Sequence, residues 1–573
     1  MDKNKVWIGL VVFALAVSAS GREKPKYEVN KMPKALYLEA PEAKDGIREF
    51  SIAGCPELKP GSNTTYGYLE MIVSAGNRRS GSREMLCAAE AVRKSFEAMG
   101  YKTELVSYRF PYYALGQDSF AVKTGDGRGF ASHPMMYSAS TESAPGGEVS
   151  GKVVRPLGLK KGDIVFVKGG TSDLPLKAVK WRDKGAIGLV VGSKFPPFNM
   201  TGLPTPHHLS SSSWHYAALP GMVVQDGRKL LGKQVVIRNS SRIYAGKGYN
   251  VVAFTPGNFD NYILVGGHLD SCYTGALDDG SGVAVALRIA ELLKDEKPGK
   301  TGLIFAGFDG EELGLFGSRV FAERFGTKKI KAMLNLDMVS VKNNFLYSKP
   351  DKAKIMPKVI SAGAEILPLA RKNFKSIKAV KIFPTLEGFS KVFGGGLPTD
   401  LEWYWTAGVP GVFIYTPDKY YHTERDNMDW MDAGDLESLS EAGANMVKDL
   451  ESASFVRPKH DPEIDLEFHR QDDGSIVFDV RVQKGGDNNP RMRKKPVVLC
   501  FYEHGLEKKV ELKQGHGSGY RGMFAPLYKG EYTFVASAVV DKTHRAVVKS
   551  LMVSDPMKEE PKEPEKKKGG KGD

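Results

Sequence analysis

The sequence predicts an α/β protein: a mostly parallel mixed sheet flanked by helices, with an inserted smaller α/β domain and a C-terminal all-β sandwich. Three observations carry this prediction. From Tyr249 to Ser454, apolar runs of strand length alternate with helical patterns, the rhythm of parallel strands joined by crossover helices. Residues 115–245 have shorter strand–helix–strand spacing, and so read as an insert. Residues 460–555 hold only short alternating runs between turn residues, such as Ser475-Ile476-Val477-Phe478-Asp479-Val480, the pattern of a sandwich. At 573 residues the chain is too long for one core. The expected division is residues 1–21, a main α/β domain over 22–114 and 246–455, the insert at 115–245, the sandwich at 460–555 and a tail at 556–573.

In chain order, Lys3 and Lys5 precede an apolar run, Val6 to Val17, and then Ser18-Ala19-Ser20-Gly21. This reads as a secretory signal peptide, cleaved after Ala16 or Ala19, and places the chain outside the cytoplasm, secreted or periplasmic. The run is short for a membrane span, no other segment is long and apolar enough, and no stable membrane insertion is expected after cleavage. Residues 22–60 mix Lys, Pro and Glu in an extended arm. Tyr66–Ala75 and Ser82–Met99 read as helices. In the second, Leu86, Ala89, Val92 and Phe96 mark one buried face, and Gly100 stops it. Lys102–Tyr108 is a strand. The insert holds strands Asp163–Val167, Ala186–Val191 and Pro220–Val224 and a helix at Leu176–Lys184, with Pro, Ser and His crowding Pro196–His215.

The main domain then runs as strands Tyr249–Phe254 and Tyr262–Gly266, helix Ser281–Asp295, strand Gly302–Phe308, helix Leu315–Phe325, strands Ala332–Leu336 and Gly411–Tyr415, and helix Leu436–Glu451. The tail is Lys, Glu, Pro and Gly and is expected to be disordered. The net charge of +14 is scattered. No basic stripe or nucleic-acid motif accompanies it, and no nucleic-acid partner is expected. Cys55, Cys87, Cys272 and Cys500 form no CxxC pair, which disfavours a cysteine zinc site. Export permits a Cys55–Cys87 disulfide. Cys272 lies in the metal loop and has two readings, a ligand or a packed free thiol; the second is preferred because the ligand set is complete without it. Sequons stand at Asn63, Asn199 and Asn239.

The chemistry gathers at strand ends. Gly266–Gly282 reads GGHLDSCYTGALDDGSG between a buried strand and a helix, with His268, Asp270, Asp278 and Asp279 on the loop. Ligands of open α/β sheets sit at such carboxyl ends, and imidazole with carboxylates is a zinc-type donor set. FAGFDGEELGLFGS places Glu311 and Glu312 after another strand, LNLDMVS places Asp337, and YYHTERDN places His422. Singly, each has a plainer reading as a helix cap or surface residue. Together in one alternating domain they describe a metal centre.

The order HLDS, GALDDGSG, DGEELGLFGS, NLDM and YHTERDN resembles the co-catalytic dizinc exopeptidases, a superfamily that includes secreted bacterial leucyl-type aminopeptidases and glutamate carboxypeptidases. The resemblance spans about residues 60–455. It implies two Zn2+ ions bridged by Asp278, one completed by His268 and Asp337, the other by Glu312 and His422. It further implies a shared hydroxide as nucleophile, Glu311 as general base, Asp270 on the free ring nitrogen of His268, and a cis bond at Asp278–Asp279. Tyr421, with Tyr420 as competitor, resembles an oxyanion donor of the glutamate carboxypeptidase branch. Leu397–Glu402 matches a pocket segment that often carries Ser-Asp-His in relatives and here reads Thr-Asp-Leu. KGDIVFVKGG…KAVKWRDKGAIGLVVGS…LPGMVV resembles a protease-associated domain, which typically shapes a substrate cleft.

The expected activity is hydrolysis of terminal peptide bonds by an aminopeptidase acting on a peptide substrate. A carboxypeptidase or dipeptidase is the alternative, favoured if a cluster of Arg from the insert faces the zincs. A glutaminyl cyclase would keep one zinc, and a silent binding ectodomain would lack a ligand or the base. The complete ligand set disfavours both. The sandwich offers a possible surface for a partner.

Overall fold

The computed structural model describes residues 47–555 apart from 49, 115–119, 137, 169–173, 194–218, 297–298, 383–384, 393–396, 455–462, 485–486, 488–489, 491, 493–494, 503–504, 516–518, 527–528 and 541–542. The expected signal peptide, most of the 22–60 arm, the Pro196–His215 loop, Asn199 and the 556–573 tail lie outside the described residues. The chain divides into two compact units, Met1–His460 and Asp461–Asp573.

The first unit is built on a nine-stranded mixed sheet. Its centre is four adjacent parallel strands, in spatial order Thr301–Phe308, Asn261–His268, Ile330–Leu336 and Gly411–Tyr415. Each is almost wholly buried, as strands covered by helices on both faces must be. Antiparallel strands flank them, Arg242–Phe254 on one side and Lys358–Ala362 on the other. Helices Thr65–Ser74, Arg83–Ala98, Ser281–Leu293 and Ala433–Ser452 contribute to one large core with the sheet.

Local chemistry sets the boundaries. The Ser82 side chain accepts from Met85 N at 3.1 Å, and Gly100 takes a left-handed φ of 90° just past the helix, a start and stop read from sequence. The Lys102 strand runs on to Ala114, because it pairs over its whole length with Arg242–Phe254. The helix expected at Leu315–Phe325 starts one residue later, since Leu315 is left-handed at φ 57°. It is α-helical only over Phe316–Phe321 before a π turn at Ala322–Gly326. Strand Lys358–Ala362 and helix Leu367–Phe374 add to the elements read from sequence; in the helix Leu367, Ala370 and Phe374 recur at spacings of three and four.

Between the two long strands, a second sheet of eight strands extends from Phe120 to Asn239, with a hydrophobic cluster on each side. Its Met136 shares a core with Tyr108, Phe110, Tyr113, Leu313 and Phe316, and so packs beside the Glu311–Glu312 turn. Cys55 and Cys87 form a disulfide. Asn239 is fully buried and donates to Ser138 Oγ and Ala139 O, both at 3.1 Å, which removes that sequon as a glycan site in the folded chain. Asn63 is exposed.

In the second unit, two four-stranded sheets face a common core that includes Phe478, Cys500, Tyr532 and Phe534. No helix of the described residues is long and apolar enough to cross a membrane.

Candidate metal centre

The four parallel strands bring four sequence motifs to one edge. His268 is the last residue of its strand. Asp337 follows Leu336, Glu311 and Glu312 follow the turn after Phe308, and His422 follows the loop after Tyr415. Parallel neighbours end on the same side of the sheet, so topology brings the four motifs to one edge.

Glycine makes the close packing possible. A Cβ on Gly267 would stand 2.0 Å from Leu336 O and 2.4 Å from Asp279 Oδ2, and one on Gly282 would stand 2.3 and 2.4 Å from the same atoms. The Asp278–Asp279 peptide is cis. Asp279 is turned inward, where its Oδ1 accepts from Gly282 N at 2.9 Å and Met338 N at 3.0 Å. Asp278 points the other way. Its Oδ1 lies 3.1 Å from His268 Nε2 and its Oδ2 lies 3.2 Å from His422 Nε2, so the carboxylate stands between two imidazoles. Asp337 Oδ1 is 3.9 Å from His268 Nε2, and Glu312 Oε2 is 2.7 Å from His422 Nε2.

The donors fall into two groups whose ligand atoms lie within 4.8 Å of one another: His268, Asp278 and Asp337, and Cys272, Glu312 and His422. The residue set fits a metal centre by an observation independent of the motifs. Glu312 Oε1 is buried without a hydrogen-bond partner, and although His422 Nε2 stands 3.2 Å from Asp278 Oδ2 and 2.7 Å from Glu312 Oε2, neither contact has hydrogen-bond geometry. Buried polar atoms are almost always partnered, and lone pairs converging without one are what a cation satisfies. The electrostatics agree. Burial pushes Asp337 up to about 7, aided by Asp278 and Glu312. Burial also raises Glu312 above the carboxylate range, and Glu311 well above it, with Asp337 and Glu312 adding to Glu311. Burial opposes charge on Asp278, but His268 and His422 outweigh it and hold this carboxyl low.

Asp270 departs from expectation. The nearest acceptor to His268 Nδ1 is the Asp270 backbone carbonyl at 2.9 Å, with the carboxylate at 3.6 Å. That carboxylate accepts instead from Ser80 Oγ at 2.8 Å, Glu311 N at 3.1 Å and Glu312 N at 3.3 Å. It therefore positions the Glu pair. Tyr421 stacks its ring on His422 at 3.6 Å and is 47% exposed. Its competitor Tyr420 is in the core against Trp430. Leu401, standing where relatives often have histidine, is fully buried against Gly411, so this segment offers no polar pocket group there. Asp400 is buried, and burial pushes it up to about 7.

Two residues that hold the loop escaped sequence reasoning. Fully buried Arg78 donates to the carbonyls of Leu269 at 2.8 Å, Thr274 at 2.7 Å and Gly275 at 2.9 Å. Asp426 accepts from Leu277 N at 2.8 Å and Asp278 N at 3.0 Å. Asp426 lies in the YHTERDN motif, and its nearness to His422 was the available signal. Nothing local marks Arg78. A pocket beside the cluster is lined by Arg79, Tyr113 and Met136 along with Asp270, Cys272 and Glu312.

Residues 250–447 match the model of peptidase family M28. An aminopeptidase of Pseudomonas aeruginosa is 26% identical over 393 residues, covering 60% of this chain and 71% of that protein. A glutamate carboxypeptidase 2 homolog of Caenorhabditis elegans is 28% identical over 216 residues, 34% of this chain and 28% of that one. The zinc aminopeptidase structure from Bacillus subtilis superposes with a TM-score of 0.53 at 18% identity, over 69% of this chain and 96% of that one. The strand-end cluster and the fold agree with the match of residues 250–447 to peptidase family M28.

Proposed function

We propose that the chain is an exported dizinc exopeptidase, most simply an aminopeptidase. The observation that carries this reading is the Asp278 carboxylate between His268 and His422, with one further carboxylate beside each imidazole. His268, Asp278 and Asp337 would hold one zinc, and Asp278, Glu312 and His422 the other. When bound, such ions supply Lewis acidity and lower the pKa of water to near neutrality. The remaining tasks belong to the protein. Glu311, adjacent to a ligand residue, takes the proton of the attacking water and passes it to the leaving amine. The Tyr421 hydroxyl donates to the oxyanion as the carbonyl becomes tetrahedral. The Asp270 carboxylate holds the Glu311 and Glu312 backbone, and its carbonyl orients His268. Export is supported by the Cys55–Cys87 disulfide, which belongs to an oxidising compartment. The Phe120–Asn239 sheet, read as a protease-associated domain, contributes one wall of the cleft through Met136.

A second reading, carboxypeptidase or dipeptidase, is favoured by Arg79. Its Nη2 is buried without a hydrogen-bond partner, and the residue lines the pocket, where a guanidinium could receive a terminal carboxylate. The test assays amino-acid p-nitroanilides against N-blocked dipeptides, with and without chelator. The aminopeptidase reading expects cleavage of free-amine substrates that chelation abolishes. Cleavage of N-blocked substrates alone would overturn it in favour of the second reading.

A further inference from the structure

Cys272 is the member of the cluster to which the two-ion reading gives no task. Its thiol is free and buried, and its Sγ stands with a Glu312 carboxylate oxygen and a His422 ring nitrogen, all within 4.8 Å of one another. A structural free cysteine behaves as a small hydrophobe. This one is instead gathered with a carboxylate and an imidazole. A second observation does not involve the thiol. Glu312 Oε1 and Asp278 Oδ2, on residues 8% and 4% exposed, have no hydrogen-bond partner. Three donor types with unspent lone pairs therefore share this side of the cluster.

We propose that Cys272 is a thiolate ligand of the metal position formed by Glu312 and His422, making the two positions of the centre chemically unequal. The inference rests on the dizinc reading above. With Asp278 shared, one position has four protein donors, Cys272, Asp278, Glu312 and His422. Four is the count of a closed zinc site, whereas three donors with an open place is the catalytic pattern. The other position, His268, Asp278 and Asp337, is of that open kind. A thiolate also biases the first position toward soft and borderline metals and against magnesium, calcium and manganese. Binding there deprotonates the thiol outright.

The test is cobalt(II) titration of the full chain after chelator treatment, read by absorption. The wild-type protein is expected to develop visible d–d bands and a near-ultraviolet thiolate-to-cobalt charge-transfer band. Cys272→Ser should lose the charge-transfer band and keep visible bands, while Cys500→Ser, a change in the C-terminal unit, should keep both. Visible bands without a charge-transfer band in the wild-type protein would overturn the Cys272 proposal and leave the metal centre standing, whatever the fate of the variant. A charge-transfer band that survives in Cys272→Ser would also overturn it. No visible bands at all would overturn the dizinc reading itself.

Discussion

The two donor groups of the candidate metal centre are built differently. His268 and Asp337 stand at or directly after the ends of neighbouring parallel strands, and both are almost wholly buried. Their spacing is a consequence of sheet register. Cys272, Glu312 and His422 come from turns, four residues beyond His268, four beyond Phe308 and seven beyond Tyr415, and His422 has a left-handed φ of 58°. That conformation is costly for a non-glycine residue and persists where the surroundings dictate it. One half is thus positioned by the sheet, the other by hydrogen bonds within loops. The rigid half can be counted on from topology, while the loop half depends on individual supporting side chains. Asp278 belongs to both.

Asp278→Ala should have the largest effect, because it breaks both halves together. Metal content should fall at both positions and turnover should be lost. Retention of one tightly held ion by elemental analysis would mean that the halves are independent and that the bridge is misassigned. Glu311→Gln should leave both halves and their metal intact while lowering kcat by roughly 10²–10⁴-fold. Near-normal turnover would remove Glu311 as the base.

Asp270→Ala separates the halves. It deletes the acceptor for Glu311 N and Glu312 N but keeps the carbonyl facing His268. Metal affinity should drop about 10–100-fold, chiefly at the Glu312 position, giving two binding steps in calorimetry. Equal weakening of both steps would contradict the division. Arg78→Leu would leave two buried carbonyls and one half-buried carbonyl without their donor and should destabilise the fold by about 3 kcal/mol, given ~1 kcal/mol or more for each lost bond. Denaturant melts would measure it.

The smallest effect concerns pH. In the metal-free protein Asp337 is held up to about 7. The folded state therefore keeps a proton that the unfolded chain, with an ordinary carboxylate pKa of about 4, has released. Stability contributed by that proton is present below about pH 4 and is lost as pH rises toward about 7. Stripped protein should melt at a lower temperature at pH 8 than at pH 5, and metal should remove the difference. Identical melting temperatures for the stripped protein would refute this.

Sequence by itself determined the alternating α/β core, the all-β end and the chemistry of the strand-end motifs. Those features are local: periodicity marks Arg83–Ala98 and Ile476–Gln483, and apolar runs mark the four central strands. Parallel strands then force the motifs to one edge. Only the tertiary structure decided what spans the chain. Asp426 meets Leu277 across 149 residues, Arg78 reaches Gly275 across 197, and the Asp270 carboxylate serves Glu311 and Glu312 rather than His268. It also buried Asn239 and Leu401, and brought Cys272 to Glu312 and His422. The physical reason is that hydrogen bonds and ligand groupings depend on positions to within a few tenths of an ångström between distant segments, whereas propensity and periodicity report only on neighbours along one element.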